Sequence, residues 1–260
     1  SKVIICGVGK SGKIASKISA TLSSVGTPSF SVSASDCSHG DLGRITKKDV
    51  LILISQSGNT DELKNIIKYA KSNSITLIGI VSNKDSYLYK SAKIRLLLPN
   101  VTESGFGIVP TSSTTTQLSL GDALSIALMK VKKFNKLDFK KFHPSGHLAN
   151  KLKTASDLML TKSKIPFVNE NESIKNALVV LNKKKLGFIV IIDNKRLNKG
   201  IFTDGDLKRS LQKDIDIDKV KIKKVMTKGP FSVEENSLIT DIIVKMNKRK
   251  ITSVCVYRGK

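Results

Sequence analysis

At 260 residues, 40% of them hydrophobic, the chain is long enough to bury a real core and to divide into two domains. It holds no apolar run long enough to span a bilayer and no signal-peptide pattern at its start, and its three cysteines (Cys6, Cys37, Cys255) lack disulfide-framework, CxxC or metal-ligand spacing, so a cytoplasmic protein is expected, off the membrane. The net charge of +24 suggests polyanions, but the excess is lysine spread along the whole chain, with arginine only at 44, 95, 196, 209, 249 and 258; this argues against a specific nucleic-acid reader.

From Val3 to Phe134 apolar strands alternate with amphipathic helices. Val3–Cys6 opens the series, Ile14, Ile18 and Leu22 mark a helix face, and strands follow at Phe30–Val32, Val50–Ile54, Thr76–Val81 and Ile94–Leu98. A long helix is expected from about Ser113 to Val131. This rhythm predicts an α/β fold, a parallel sheet between layers of helices. Ligands bind such sheets beyond the carboxyl ends of the strands, so Gly7–Ser11, Ser55–Thr60 and Ser82–Lys84 should converge on one crevice.

The pattern breaks at His143-Pro144-Ser145-Gly146-His147 and then repeats itself. Asp157-Leu158-Met159 is echoed by Lys224-Val225-Met226; each leads to a helix (Ser173–Leu181, Ser237–Met246) and an apolar strand (Gly187–Ile192, Ser253–Tyr257). The second copy stops before any match to Gly200–Leu207, and the series opens on a bare strand, so a chain trimmed at both ends is expected. The expected domains are 1–150, 151–218 and an incomplete 219–260.

Ser55-Gln56-Ser57-Gly58-Asn59-Thr60 follows the apolar run Val50–Ile54 and precedes Leu63, Ile66, Ile67 and Ala70 at helical spacing. A strand-to-helix turn aims backbone N–H groups and a helix dipole at one point, and small hydroxyls leave room there for a phosphate monoester. An ordinary Ser/Asn turn with helix caps would read the same way. Gly7-Val8-Gly9-Lys10-Ser11-Gly12-Lys13 satisfies GxGxxG and nearly a P-loop, but Ile14 stands where a P-loop needs Ser or Thr. Only Asp36 is available as the acidic partner of a dinucleotide. Glu103 lies past the fifth strand, and capping accounts for one or two of the hydroxyls in Thr111–Thr116 but not for six. His39 sits in a glycine-flanked turn; a metal trio with His143 and His147 is conceivable, although Pro144 and Gly146 break the helix it would need.

Together these residues resemble a sugar isomerase (SIS) domain followed by a pair of cystathionine-β-synthase-type (CBS) modules, the second truncated. Within that group the chain is similar to the arabinose 5-phosphate isomerase family. The matching segments are Gly7–Gly12, Gly26–Phe30, His39–Gly43, Ser55–Thr60, Pro110–Thr115, Gly121–Leu124, His143-Pro144 and Gly200–Leu207. Two departures stand out: Ser145 where the family usually has glycine, and Asn59 where an acid is common.

The resemblance implies a doubly wound parallel sheet and an aldose–ketose isomerase. It would interconvert D-ribulose 5-phosphate and D-arabinose 5-phosphate through an enediolate without cofactor or metal, the first step toward 3-deoxy-manno-octulosonate and lipopolysaccharide. It assigns Lys10, Glu62, Glu103 and His143 to catalysis. Ser11, Ser55, Ser57, Thr60 and Ser112 would hold the phosphate, and His39 would be a further active-site residue open to metal inhibition. It also implies a homotetramer, and a nucleotide or sugar-nucleotide regulator at the CBS pair near Thr203 and Asp206. A non-catalytic SIS sensor of sugar phosphates is the main alternative; a nicotinamide-linked dehydrogenase, lacking its ribose-binding acid, is the other.

Overall fold

Five apolar runs form the strands β1 (Val3–Gly7), β2 (Ser29–Ser33), β3 (Val50–Ile54), β4 (Thr76–Val81) and β5 (Ile94–Leu97) of a computed structural model, which describes residues 1–258. They make one all-parallel sheet in the order β2-β1-β3-β4-β5. The helices between them are α1 (Lys10–Ser24), α2 (Ala34–Cys37), α3 (Lys64–Ser72) and α4 (Tyr87–Ser91); α5 (Ser112–Val131) and α6 (Lys136–Phe142) follow.

Strand alternation explains the two layers. Ile4, Cys6, Leu51 and Leu53 point to one face and pack with Ile66, Ile67 and Ala70 of α3 and Leu88 of α4. Ile5, Ile52, Ile54 and Ile80 point to the other and pack with Ala15, Ile18 and Leu22 of α1 and Leu120 and Leu128 of α5. Each leucine or isoleucine buried in full here stabilises the fold by about 1.5–3 kcal/mol. A Cβ on Gly121 would lie 2.3 Å from Ile18 Cδ1, so this glycine lets α5 approach α1, and Lys17 Nζ donates to Asp122 Oδ2 at 2.7 Å beside it. Two of the family-matching residues are thus packing devices.

The order 2-1-3-4-5 places a topological switch between β1 and β3, where chain connections depart to opposite sides. A crevice opens at such a point beyond the carboxyl ends of the strands.

The contact pattern divides the chain into Ser1–Pro144 and Ser145–Lys260. Helix α6 ends at Phe142, and α7 (Gly146–Lys151) begins the second unit, so the division falls inside the pattern break at His143–His147, ahead of the expected boundary at 150. Ser145 sits in extended backbone at φ −139° while Gly146 takes φ +84°. The serine that replaces a family glycine therefore meets no left-handed strain.

The second unit is built twice. Its first copy holds α8 (Ala155–Leu158), β6 (Phe167–Asn169), α9 (Ile174–Lys184), β7 (Phe188–Ile192), β8 (Asn198–Thr203) and α10 (Asp204–Gln212). After the short β9 (Thr227–Lys228), the second shows β10 (Ser232–Glu234), α11 (Ile239–Arg249) and β11 (Cys255–Tyr257). The parallel pair β6–β7 is matched by β10–β11, and α9 and α11 both end on a left-handed lysine, Lys185 and Lys250. The copies are strapped reciprocally. Ala155 N–H donates to Ser237 O and Ser156 N–H to Glu235 O; Ile222 N–H donates to Glu172 O and Lys223 N–H to Glu170 O. Each copy's entrance thus binds the other's strand-to-helix turn, as a pseudo-symmetric pair requires.

Among the described residues no helix is long and apolar enough to cross a membrane.

Candidate active site

Gly7 closes β1 where α1 presses on the strand end: a Cβ there would lie 2.8 Å from the Ser11 carbonyl carbon. A Cβ on Gly12 would lie 2.8 Å from Gly7 O, and Gly9, at φ +58°, turns the chain into α1. The GxGxxG spacing here is a tight strand-to-helix turn that puts Lys10 and Ser11 on the first turn of α1. Asp36 lies in α2, with its backbone N–H on Ser33 Oγ.

The three predicted strand ends do converge. A cleft of about 880 Å³ is lined by Ser11 after β1, by Ser55, Ser57 and Thr60 after β3, and by Ser82 and Lys84 after β4. Ser55, almost fully buried, is the keystone of its loop. Its Oγ accepts the Gly58 N–H at 3.0 Å and is hydrogen-bonded to Thr60 Oγ1 at 2.8 Å, while its own N–H donates to Ile80 O. Ser57 Oγ accepts the Asn59 N–H at 3.2 Å. Gly58 takes φ +70°, and a Cβ on it would lie 2.1 Å from Ser86 Oγ, so the loop is wedged against the next strand end. Gln56 Oε1 accepts the Ser82 hydroxyl at 2.9 Å, and Asn59 Oδ1 accepts the Tyr87 N–H at 2.9 Å, binding the loop to the start of α4. The amide at 59, where the family often has an acid, serves the loop as an acceptor.

The other expected site residues lie off this cleft. Lys10 is exposed at the head of α1. Glu62 is exposed in a short 3-10 turn, Asp61–Leu63, that precedes α3, rather than in the helix itself. His39 is exposed beyond α2, its N–H on Asp36 O at 2.9 Å. Among the described residues no three His, Cys, Asp or Glu side chains are grouped to hold a metal ion.

Glu103 has a definite job in this fold. Its Oε2 accepts the Thr111 N–H at 2.8 Å and the Ser113 N–H at 3.2 Å, capping α5 from outside. The Ser113 hydroxyl, these backbone donors and the Ser112 N–H pull its pKa down to about 2. Thr111, the N-cap, makes no capping bond through its own side chain. The hydroxyls behind it turn inward: Thr114 and Thr115 Oγ1 donate to Thr111 O, and Thr116 Oγ1 to Ser112 O. Back-bonding to the helix accounts for the part of the hydroxyl run that capping left over.

His143 terminates α6 and stacks on Phe139, ring centroids 3.8 Å apart. Its Nδ1 lies 2.9 Å from Phe139 O. A carbonyl only accepts, so Nδ1 carries a proton, and in the neutral imidazole the lone pair is on Nε2.

In the second unit Thr203 and Asp206 form a capping box on α10. Thr203 Oγ1 accepts the Asp206 N–H, Asp206 Oδ2 accepts the Thr203 N–H, and Asp206 also pairs with Arg209 and Thr227. Their polar atoms are largely engaged within the fold. A separate apolar cleft of about 500 Å³, lined by residues such as Phe167, Val190, Ile242 and Val256, lies between the two copies.

Gln56, Ser82, Asn83 and Lys84 line the main cleft; the sequence placed them in its strand-end segments but gave none of them a binding or catalytic role. The available signal was their place: three of them follow directly on the predicted strand Thr76–Val81.

A SIS domain model matches residues 1–127, and a CBS domain model matches 155–213 and 222–260. The arabinose 5-phosphate isomerase KdsD of Yersinia pestis is 43% identical over 99% of this chain and 79% of its own length. The chain belongs to the arabinose 5-phosphate isomerase family. Another member, KdsD of Escherichia coli K12, is 40% identical over the same shares of both chains. Among solved structures, an E. coli CFT073 protein in complex with arabinose 5-phosphate is 42% identical over 55% of this chain and 77% of its own, with a TM-score of 0.54.

Proposed function

We propose that the chain is an arabinose 5-phosphate isomerase, interconverting D-ribulose 5-phosphate and D-arabinose 5-phosphate in the supply of 3-deoxy-manno-octulosonate for lipopolysaccharide. The observation that carries this reading is the braced hydroxyl loop Ser55–Thr60 at the switch point, in a chain aligned almost end to end with isomerases of that name. Its three unpaired, scattered cysteines suit a cytoplasmic setting.

In this reading Ser11, Ser57 and Thr60, with the backbone braced by Ser55, receive the phosphate, and Ser112 adds a donor at the head of α5. At the other end a base takes the C1 proton of the ketose, leaving a 1,2-enediolate. The proton is returned to C2 while a hydroxyl proton passes between O1 and O2. His143 is the better base of the two candidates, because its Nδ1 contact leaves Nε2 with no hydrogen bond among the described residues, while the Glu103 carboxylate is held strongly acidic as a cap. Lys10 would stabilise the developing oxyanion and Glu62 orient the hydroxyls. The homotetramer implied by family resemblance offers a way to bring this quartet to the cleft, with His39 at its edge.

The test incubates the full chain with ribulose 5-phosphate in EDTA, without nicotinamide, and follows arabinose 5-phosphate. Turnover is expected, and in heavy water His143→Ala should lose deuterium incorporation at the substrate carbon. No turnover, with sugar phosphate still bound, would favour the sensor.

A further inference from the structure

Resting on that reading, we infer that Lys84 is the cation that selects a phosphate dianion at the hydroxyl loop. The cleft is otherwise poorly equipped for two negative charges. Ser11, Ser55, Ser57 and Thr60 are neutral, and Ser55 and Thr60 already spend hydrogen bonds on each other. Among the described residues that line the cleft, Lys84 is the single cation. Neutral donors shape a site for an oxyanion, but a fixed positive charge distinguishes a dianion from an uncharged polyol.

The backbone carrying Lys84 is held in place. Asn83 Oδ1 accepts the Asp85 N–H at 2.9 Å, and Asn83 O accepts the Ser86 hydroxyl at 2.7 Å, closing a turn around Lys84. Ser86 is fully buried, and its Oγ occupies the space a Cβ on Gly58 would need. Leu88 N–H donates to Gly58 O at 3.0 Å. The lysine turn and the hydroxyl loop are thus two sides of one contact, and the lysine stem rises from a fixed base. Lys84 makes no ion pair among the described residues, is exposed, and lines the cleft. Asp85 also lines the cleft, one residue on, and would help keep a second anion out.

The experiment compares wild type, Lys84→Met and Lys84→Arg in two assays: steady-state isomerisation of ribulose 5-phosphate, and equilibrium binding of inorganic phosphate by calorimetry. A charge-assisted contact in an open cleft predicts that Lys84→Met raises KM and weakens phosphate binding by roughly tenfold each, with kcat changed by less than about threefold. Lys84→Arg should recover most of both, which a loss of packing or folding would not allow. If the enzyme is active and Lys84→Met leaves KM and phosphate affinity within about twofold of wild type, the assignment of Lys84 is overturned. If no variant turns over substrate but Lys84→Met alone loses phosphate binding, Lys84 stands and the isomerase reading falls.

Discussion

Two segments of the first unit look alike on paper: Ser55–Thr60 and Thr111–Thr116 are both hydroxyl-rich and both lead into a helix. They fold to different ends. In the first, Gly58 at φ +70° lets the chain reverse against Ser86, so Ser55 braces the loop and Ser57 and Thr60 reach the cleft. In the second, the helix begins at once, Glu103 caps it, and the hydroxyls of Thr114, Thr115 and Thr116 bond back to Thr111 and Ser112 carbonyls. Hydroxyl density does not make an anion cradle. A backbone that is kept from becoming helix does.

The glycine is the sharpest place to break this contrast. Gly58→Ala sets a methyl into the Ser86 side chain and forces a left-handed alanine, costing roughly 2–4 kcal/mol of stability. Displacing the loop should also raise the substrate KM by about two orders of magnitude. Gly107→Ala, in the approach to the second segment, meets a similar φ of +73° but has nothing within 4 Å of the new methyl. It should cost roughly 1 kcal/mol and leave KM unchanged. Chemical denaturation and steady-state kinetics on the pair check this; equal effects on KM would mean that the Ser86 contact does not shape the loop.

Glu103 tests the other side. Its carboxyl is held at about 2 against an ordinary 4.5, so the folded state binds its proton less readily than the unfolded chain. The stabilisation is present above about 4.5 and is lost as pH falls toward 2. Glu103→Gln should therefore melt below wild type at neutral pH, and the two melting curves should draw together between those values. Deuterium exchange into substrate should slow but persist in this variant. A gap in melting temperature that stays constant down to pH 2 would remove the capping role.

Much of this was legible in residue order. Strand periodicity predicted all five strands of the sheet, and the alternation Leu51-Ile52-Leu53-Ile54 required two helical layers. The repeat in the second half was visible from Asp157-Leu158-Met159 and Lys224-Val225-Met226. The reciprocal strapping of the two copies was not, because it runs through backbone groups that carry no residue code. Glu103 as the cap of α5 was hidden for a similar reason: it stands eight positions before Thr111, and a cap from that distance depends on how the intervening loop folds back. The place of Lys84 at the crevice was legible from its strand end; that it is the single cation among the described lining residues was not, since this depends on which side chains the tertiary fold gathers there.

The smallest effect carries the comparison furthest, because it predicts opposite signs for two removals of one hydroxyl. Ser55→Ala leaves the buried Gly58 N–H without its acceptor, a loss of about 1–3 kcal/mol, with KM rising roughly tenfold. Thr115 Oγ1 instead bonds to Thr111 O on an exposed helix surface, at 3.0 Å. Removing it leaves Thr111 O with the Thr114 hydroxyl and the Thr115 N–H, and replaces a β-branched residue by the best helix former. Thr115→Ala should therefore stabilise α5 by about 0.3–0.5 kcal/mol with no change in KM. A rise in KM in this variant would show that the second hydroxyl run touches substrate after all, and the contrast between the two segments would collapse.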